Sequence, residues 1–146
     1  MRKPLAIAAV LTAVALLAVG STASGSGSVS TLVKTARVKH LGTVLVNRRG
    51  FVLYVFAPDK HRRVTCKRAC AAVWPPLKAR GTPTAGGRAK QSLLGVLTKV
   101  VTYNHWPLYT YIADTKPGEA RGQDTNLNGG FWYVISPSGR VIKTKP

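Results

Sequence analysis

Apolar and β-branched residues alternate with turn residues along most of this chain, and the pattern predicts short antiparallel strands. The expected hairpins pair residues 44–46 with 51–56, 96–103 with 108–112, and 131–135 with 140–144. Gly50 can adopt the positive φ that closes the first hairpin, and Ser136-Pro137-Ser138-Gly139 suits a type I turn in the third. The predicted fold class is therefore mostly β.

One segment departs from the strand pattern. Residues 65–77 are rich in alanine, with Thr65 as a candidate N-cap and Pro75-Pro76 as a stop signal. We expect one short helical segment near Cys66 to Trp74. Glycine and proline between residues 78 and 91 then predict a connecting loop.

The phrase Tyr-x-aromatic-x-x-Asp occurs twice, beginning at Tyr54 and at Tyr109, and a tryptophan follows each copy. The matching residues are Tyr54, Phe56, Asp59 and Trp74 in the first copy, and Tyr109, Tyr111, Asp114 and Trp132 in the second. Similarity at a fixed offset indicates an internal duplication. We therefore expect two similar hairpin repeats, at about residues 41–77 and 96–139, that share one core.

The motif residues have a structural interpretation. Side chains two apart on a strand share a face, so each pair of rings is expected to lie in the core. Each aspartate is expected to end its strand, by accepting backbone N–H groups or pairing with a nearby cation. This role is favoured over catalysis, since turn aspartates are common.

The N-terminus has the layout of a secretory signal peptide. Arg2 and Lys3 precede an uncharged apolar run at residues 5–19, and Ser21 and Ala23 supply the small residues of a cleavage site. The run is shorter than the roughly 20 residues that span a bilayer, so we expect no transmembrane anchor after cleavage. The predicted organisation is a signal peptide at 1–23, a flexible leader at 24–31 and a single β-rich domain at 32–146.

The chain is strongly basic, with a formal net charge of +18. Fourteen of its 22 lysines and arginines lie between Lys34 and Lys90, where Asp59 is the sole acid. Such a field attracts polyanions, which outside a cell are anionic envelope polymers, lipid head groups or free nucleic acid rather than intracellular nucleic acid. Residues predicted to bind them are Arg48, Arg49, Lys60, Arg62, Arg63, Lys67 and Arg68. Solubility alone is an equally open explanation of the charge, and oligomeric state is left open.

Cys66 and Cys70 are the only cysteines, and in an exported protein they predict a disulfide. On a helix, Cα atoms four residues apart lie roughly 6 Å from each other, within the range of a bridge. An inert structural bridge is favoured over a redox pair. His61 together with both thiolates is the alternative copper or zinc site, although the surrounding cations oppose it. No cofactor is expected, and Ala71 stands where haem attachment needs histidine.

Two further patterns bear on chemistry. Residues 124–129 reproduce the opening half of a calcium loop, but Ile135 occupies the position that needs a bidentate glutamate, so an Asn/Gly turn is favoured. The chain has no Gly-x-Ser-x-Gly elbow and no closely spaced pair among its four acids. Enzymatic activity is therefore not favoured.

Several groups of residues together resemble a known family. They are Leu53-Tyr54-x-Phe56-x-x-Asp59, Cys66-x-x-x-Cys70-Ala71, Trp74-Pro75-Pro76-Leu77, Thr102-Tyr103-Asn104, Pro107-Leu108-Tyr109-x-Tyr111-x-x-Asp114, Pro117-Gly118, Trp132-Tyr133-Val134 and Ser136-Pro137-x-Gly139. The chain is similar, over about residues 41–139, to bacterial extracytoplasmic proteins that carry the Yx(FWY)xxD motif, the secreted repeat of unknown function. The resemblance implies a secreted location and no assigned activity. Many relatives resemble lipoproteins, whereas this chain has no lipidation cysteine, and its stretch before Tyr103 is shorter and lacks an Asp-Gly turn.

These observations predict a secreted, non-enzymatic module of the bacterial cell envelope or extracellular space, which binds polyanionic surfaces through its basic first repeat. The alternative is an extracytoplasmic redox or metal-handling protein that uses Cys66 and Cys70.

Overall fold

A computed structural model of the chain describes residues 29–60 and 62–145. The strands are β1 Leu32–Val38, β2 Gly42–Asn47, β3 Tyr54–Phe56, β4 Thr84–Ala85, β5 Leu94–Leu97, β6 Val100–Tyr103, β7 Trp106–Pro107, β8 Thr125–Leu127, β9 Gly130–Ile135 and β10 Val141–Ile142. One α-helix in these residues, α1, spans Ala69–Val73, and 3-10 turns lie at Ala57–Asp59 and Gln91–Leu93. The predicted mostly-β class with one short helix is confirmed.

The predicted signal peptide and residues 24–28 of the predicted leader lie outside the described residues, so the proposed domain boundaries stay a prediction. In the part of the chain that is described, no helix combines the length and the apolar character that crossing a membrane requires.

The described residues form three small sheets. The strand orders are β2-β1-β4, then β10-β9-β3 with β8 also paired to β9, and finally β5-β6-β7. Every pairing is antiparallel except that of β1 with β4. The second of these sheets joins the two repeats, because β3 belongs to the first and β9 to the second.

The first predicted hairpin is only partly correct. Its turn closes as expected, with Gly50 at φ +88° and a 3.0 Å bond from the Gly50 N–H to the Asn47 carbonyl. Pairing with β2 ends at Leu53, whose N–H donates to the Leu45 carbonyl over 2.9 Å. The chain then continues as β3, which pairs with β9 instead of β2. The extended segment at residues 52–56 therefore contributes first to the pairing with β2 and then to the sheet of β9.

The second predicted hairpin is wrong in its strand bounds. Thr98 and Lys99 both have positive φ, and this two-residue turn divides residues 96–103 between β5 and β6. A second such turn at Asn104 and His105 leads into β7. Turns of this kind match the twist of antiparallel strands. Residues 108–112, all of which the structure describes, contain no regular strand, and Tyr109 joins its neighbours through isolated bridges.

The third hairpin is confirmed, with β9 paired to β10 and a 2.9 Å bond from the Gly139 N–H to the Ser136 carbonyl. The favoured Asn/Gly turn is also present, since Asn128 and Gly129 have positive φ and connect β8 to β9. Helix α1 begins later than predicted: its N-cap is Arg68, and the side chain of Thr65 bonds to Asp59 instead.

The shared core is divided into two buried layers by β2 and the segment leading through β3. Alternate side chains point to opposite faces of a strand. Tyr54 and Phe56 therefore lie in one layer with Trp74, while Leu53 and Val55 lie in the other. The first layer contains the repeated motif and positions the candidate site.

Candidate functional site

The two repeats exchange hydrogen bonds through their motif residues. The Tyr54 hydroxyl donates to Asp114 Oδ2 over 2.6 Å, and the Tyr109 hydroxyl donates to Asp59 Oδ2 over 2.6 Å. Their backbones are joined in the same reciprocal manner, with N–H to carbonyl distances of 2.8 and 2.9 Å between Tyr54 and Tyr109. Each tyrosine is thus bound to the aspartate of the other repeat, and the motif holds the two halves together.

The second oxygen of each carboxylate is also occupied. Asp59 Oδ1 accepts from the backbone N–H of Thr65 over 2.8 Å and from its hydroxyl, and Asp114 Oδ1 accepts from the Arg121 N–H over 2.9 Å. Asp59 is 0% exposed and Asp114 is 4% exposed. Neither carboxylate is among the described residues that line the grooves reported below. Their geometry is that of structural acceptors.

Four aromatic rings form one continuous stack beside these bonds. Ring centroids are 4.2 Å apart for Phe56 and Trp132, 3.9 Å for Trp132 and Trp74, and 4.0 Å for Trp74 and Tyr111. The stack also alternates between the repeats, because each tryptophan lies against the second ring of the other copy. Tyr54 and Tyr109 meet Trp74 and Trp132 edge-on, at 5.4 and 5.2 Å. Tyr111 is half-buried at one end.

Gly122 is a required part of the site that sequence patterns did not indicate. A Cβ atom there would lie 2.5 Å from Cη2 of Trp74, and its N–H donates to the Tyr54 hydroxyl over 3.3 Å. The sequence pattern favours Thr65 as an N-cap, whereas its backbone N–H and hydroxyl donate to Asp59.

Gln123 is a further residue that sequence patterns did not indicate, and it is 4% exposed. Its Oε1 accepts from the Val134 N–H over 2.8 Å, and its Nε2 donates to the Ile142 carbonyl over 2.8 Å.

For Thr65 the sequence does contain a signal. Thr65 follows Asp59 at nearly the same spacing as Arg121 follows Asp114, and each donates to that aspartate.

Burial dominates the protonation equilibria of the site. It raises the pKa of Tyr54 far above its usual range, and the hydrogen bond to Asp114 raises that pKa further. The pKa of Tyr109 is raised in the same way by burial and by its bond to Asp59. Burial also raises the pKa of Asp114, although the bonds from Tyr54 and the Arg121 N–H oppose that shift.

One buried donor in the aromatic stack is unsatisfied within the described residues. The Trp74 Nε1–H has no acceptor among them.

These shifts predict a loss of stability in alkali. Because the folded pKa values of Tyr54 and Tyr109 lie above the unfolded value of about 10, their contribution is complete below that pH and is lost as pH rises past it. Well above pH 10, each tyrosine should steepen the fall in unfolding free energy by about 1.4 kcal/mol per pH unit. Denaturant unfolding of Tyr54→Phe and Tyr109→Phe between pH 9 and about 11 tests this. Each variant should show a slope that is shallower by about half a proton on average over this range and by nearly one proton at its upper end, and slopes equal to that of the parent protein would contradict the assignment.

The predicted disulfide between Cys66 and Cys70 is confirmed, with Cα atoms 5.2 Å apart. Cys66 is 2% exposed and Cys70 is half-buried. His61, the third member of the alternative metal site, lies outside the described residues. Within residues 29–60 and 62–145 no group of three metal-ligating side chains occurs.

The structure gathers four of the seven predicted polyanion-binding residues into one concavity, here called the cationic groove. Its volume is 740 Å³. Its charged lining residues are Arg62, Arg63, Lys67 and Arg68, together with Lys78, which the sequence did not single out. The groove lies between the loop that precedes α1 and the turn joining β5 to β6.

The other three predicted cations lie elsewhere. Arg48 and Arg49, at the turn after β2, line a neighbouring groove of 330 Å³ with Arg80 and Lys78. Arg48 Nη2 donates to the Ser30 carbonyl over 3.1 Å, and the Arg49 guanidinium lies 5.2 Å from the Phe51 ring centroid. Lys60 is exposed and lines neither groove. The two grooves adjoin at Lys78.

Among residues 29–60 and 62–145, no acid forms a salt bridge with a cation of the groove. In the described part of the chain the one salt bridge joins Arg121 to Glu119 over 3.0 Å, in the second repeat. Glu119 has a pKa lowered to about 2, first because it accepts the Thr115 N–H and also because it pairs with Arg121. Asp59, the only acid between Lys34 and Lys90, is buried and fully bonded. The positive charge of the first repeat therefore has no acidic partner at the surface that the described residues form.

Comparison with known proteins agrees with the two halves seen in the structure. The family described as a secreted repeat of unknown function matches residues 35–78 and 98–136, which is more than half of the chain. The chain belongs to this family, and each matched segment contains one copy of the tyrosine, aromatic, aspartate and tryptophan set. Searches of curated proteins and of solved structures give no significant match.

Proposed function

We propose that this protein is a secreted, non-enzymatic module of the cell envelope or extracellular space that binds polyanionic surfaces through its basic first repeat. The observation that carries the proposal is the cationic groove, in which Arg62, Arg63, Lys67, Arg68 and Lys78 converge with no carboxylate partner among the described residues. The family's description as secreted supports the location.

Charge and geometry both suit an anionic polymer. Guanidinium groups form paired hydrogen bonds with phosphate or carboxylate oxygens, and three of the five cations are arginines. Opposed charges attract over about 8 Å in physiological salt, so cations around one groove act on a ligand together. Because Lys78 borders both grooves, a polymer that fills the first can continue towards Arg48 and Arg49.

The non-enzymatic part of the proposal is supported by the motif geometry. Asp59 and Asp114 are buried with both oxygens bonded, so neither is free to transfer a proton to a substrate.

Neutralising the groove is expected to weaken polyanion binding strongly. Replacing Arg62, Arg63, Lys67 and Arg68 together with glutamine removes four charges that act on one ligand. At about 0.5 kcal/mol for each exposed charge, affinity for inorganic polyphosphate should fall by roughly 30-fold at low salt. Binding should be measured by fluorescence anisotropy in about 50 and 200 mM salt, and the variant should show the smaller salt dependence.

A matched variant separates the groove from net charge. Exposed cations also lie in and after the second repeat, namely Lys116, Arg140, Lys143 and Lys145, and their replacement by glutamine lowers the net charge equally. The proposal expects this variant to bind within about threefold of the parent protein, a difference of less than 1 kcal/mol. Equal weakening by both variants, or affinity that does not change with salt, would contradict a site in the first repeat.

The redox alternative has one supporting observation, the disulfide, whose Cys66 borders the cationic groove. Exchange needs a thiolate to reach a sulfur, and access is restricted because Cys66 is 2% exposed and Cys70 is half-buried. A structural bridge that fixes the shape of the groove accounts for the same observation, so polyanion binding is the function that the geometry supports best.

A further inference from the structure

The floor of the cationic groove is apolar, and this feature goes beyond what a polyanion requires. The apolar lining residues are all less exposed than the five cations, which are here called the rim. These apolar residues, here called the floor, are Val64, Cys66, Ala71, Pro76, Leu97 and Val100. Val64, Ala71, Pro76 and Leu97 are only half-buried, so they keep apolar surface open to the groove. A highly charged polymer would cover that surface with polar groups and gain nothing from it.

From this arrangement we propose that the groove binds one amphipathic anion, a phosphate-headed lipid monomer. Its phosphate lies among the cations of the rim, and the first carbons of its alkyl chain lie on the apolar floor. This inference rests on the proposed function, because it assigns a ligand class to the same groove.

Both halves of the ligand are matched by the chemistry of the groove. Five cations without a carboxylate partner in the described residues complement a phosphate, and the apolar floor complements a chain. Small-molecule sites are typically concave and mostly apolar with a few polar groups, and enclose roughly 300–1,000 Å³. The 740 Å³ groove falls in that range.

The groove is also held in place before any ligand arrives. Bonds to Asp59 hold the loop at Thr65, and the disulfide ties Cys66 to Cys70 at the start of α1. On the opposite side the Ala79 N–H donates to the Lys99 carbonyl over 2.9 Å. A preformed site avoids much of the ordering cost of binding.

Soluble alkyl phosphates of increasing length test the inference on the unmodified protein. Butyl, hexyl and octyl phosphate, each below its micellar concentration, should be titrated by calorimetry against inorganic phosphate as the head group alone. Each added methylene on the floor should raise affinity about fourfold until the groove is filled. Affinity that is independent of chain length would overturn the inference. Because the test uses the unmodified protein, its result does not depend on whether a variant folds.

Two neighbouring residues of β5 provide a matched pair of variants. Leu97 lines the groove, whereas Val96 is 50% exposed and does not line it. Leu97→Ser should weaken octyl phosphate binding about tenfold by removing apolar floor, and Val96→Ser should leave it unchanged. Polyphosphate affinity should be unchanged in Val96→Ser.

The outcomes separate this inference from the proposed function. Equal octyl phosphate affinity in the two serine variants, while the groove-neutralised variant still loses polyphosphate, would overturn the lipid assignment and leave polyanion binding intact. Binding to vesicles of an anionic phospholipid without binding of any monomeric alkyl phosphate would indicate adsorption to a membrane surface and would also overturn it. Loss of neither ligand on neutralising the groove would overturn both proposals.

Discussion

Replacing Trp74 with alanine is expected to lower the free energy of unfolding by about 3 kcal/mol. Trp74 is fully buried, with Trp132 stacked on one face, Tyr111 on the other and the edge of Tyr54 beside it. Removing a buried aromatic ring typically costs about 3–5 kcal/mol. The loss falls at the lower end of that range because the variant also removes an indole N–H without an acceptor among the described residues.

Trp106→Ala is the matched control, because Trp106 is half-buried and packs against the other core layer. Urea unfolding of both variants should show a loss at Trp106 of no more than about half that at Trp74, since less of the ring leaves the core. Equal losses of unfolding free energy in the two variants would contradict the larger contribution to stability that we assign to the four-ring stack.

Replacing Asp59 with asparagine is expected to cost about 3 kcal/mol of stability, although it changes shape very little. One carboxylate oxygen accepts from Tyr109 and the other accepts from Thr65. An amide nitrogen cannot accept a hydrogen bond, so one orientation leaves the buried Tyr109 hydroxyl without this acceptor and the other leaves the donors of Thr65 without it. Losing a charged acceptor and stranding a buried donor each cost about 1–3 kcal/mol.

Asp114→Asn should give a similar loss, because Asp114 receives Tyr54 and the Arg121 N–H in the same reciprocal arrangement. Asp124→Asn is the control, since the Asp124 side chain makes no hydrogen bond within the described residues. Its unfolding free energy should stay within about 0.5 kcal/mol of the parent value. A large loss at Asp124, or none at Asp59, would contradict the structural role of the motif.

Local pattern was enough to predict the mostly-β class, the short helix, the disulfide and the Asn/Gly turn before β9. Each depends on residues close together in the chain, such as Cys66 and Cys70. The duplication was visible for the same reason, because a repeated phrase needs no knowledge of packing.

The exchange between repeats was beyond local pattern. A single phrase shows that Tyr54 and Asp59 recur together, but Tyr54 bonds to Asp114 rather than to Asp59. Tyr54 reaches Asp114 because β3 pairs with β9 rather than continuing beside β2. This pairing between distant parts of the chain cannot be read from the local hairpin pattern. The break at Thr98 and Lys99 was missed because neither is a residue that usually adopts positive φ.

The surface was predicted in composition but not in arrangement. Counting charges identified the basic first repeat, yet only the fold shows that Arg62 and Arg68 share a groove while Arg48 lies in the next one. The apolar floor was hidden for the same reason, since Leu97 of β5 lies far along the chain from Arg62 and Arg68.

We propose that the repeated motif builds the fold and that the groove cations bind the ligand. Measuring polyphosphate affinity of Asp114→Asn beside the groove-neutralised variant, at a temperature where both remain folded, tests this division most directly, because neither hydrogen-bond partner of Asp114 lines the groove. We predict that Asp114→Asn binds within about twofold of the parent protein, while neutralising the groove weakens binding by roughly 30-fold. Loss of binding in folded Asp114→Asn, with affinity retained by the neutralised groove, would contradict this division and place the function at the buried carboxylate.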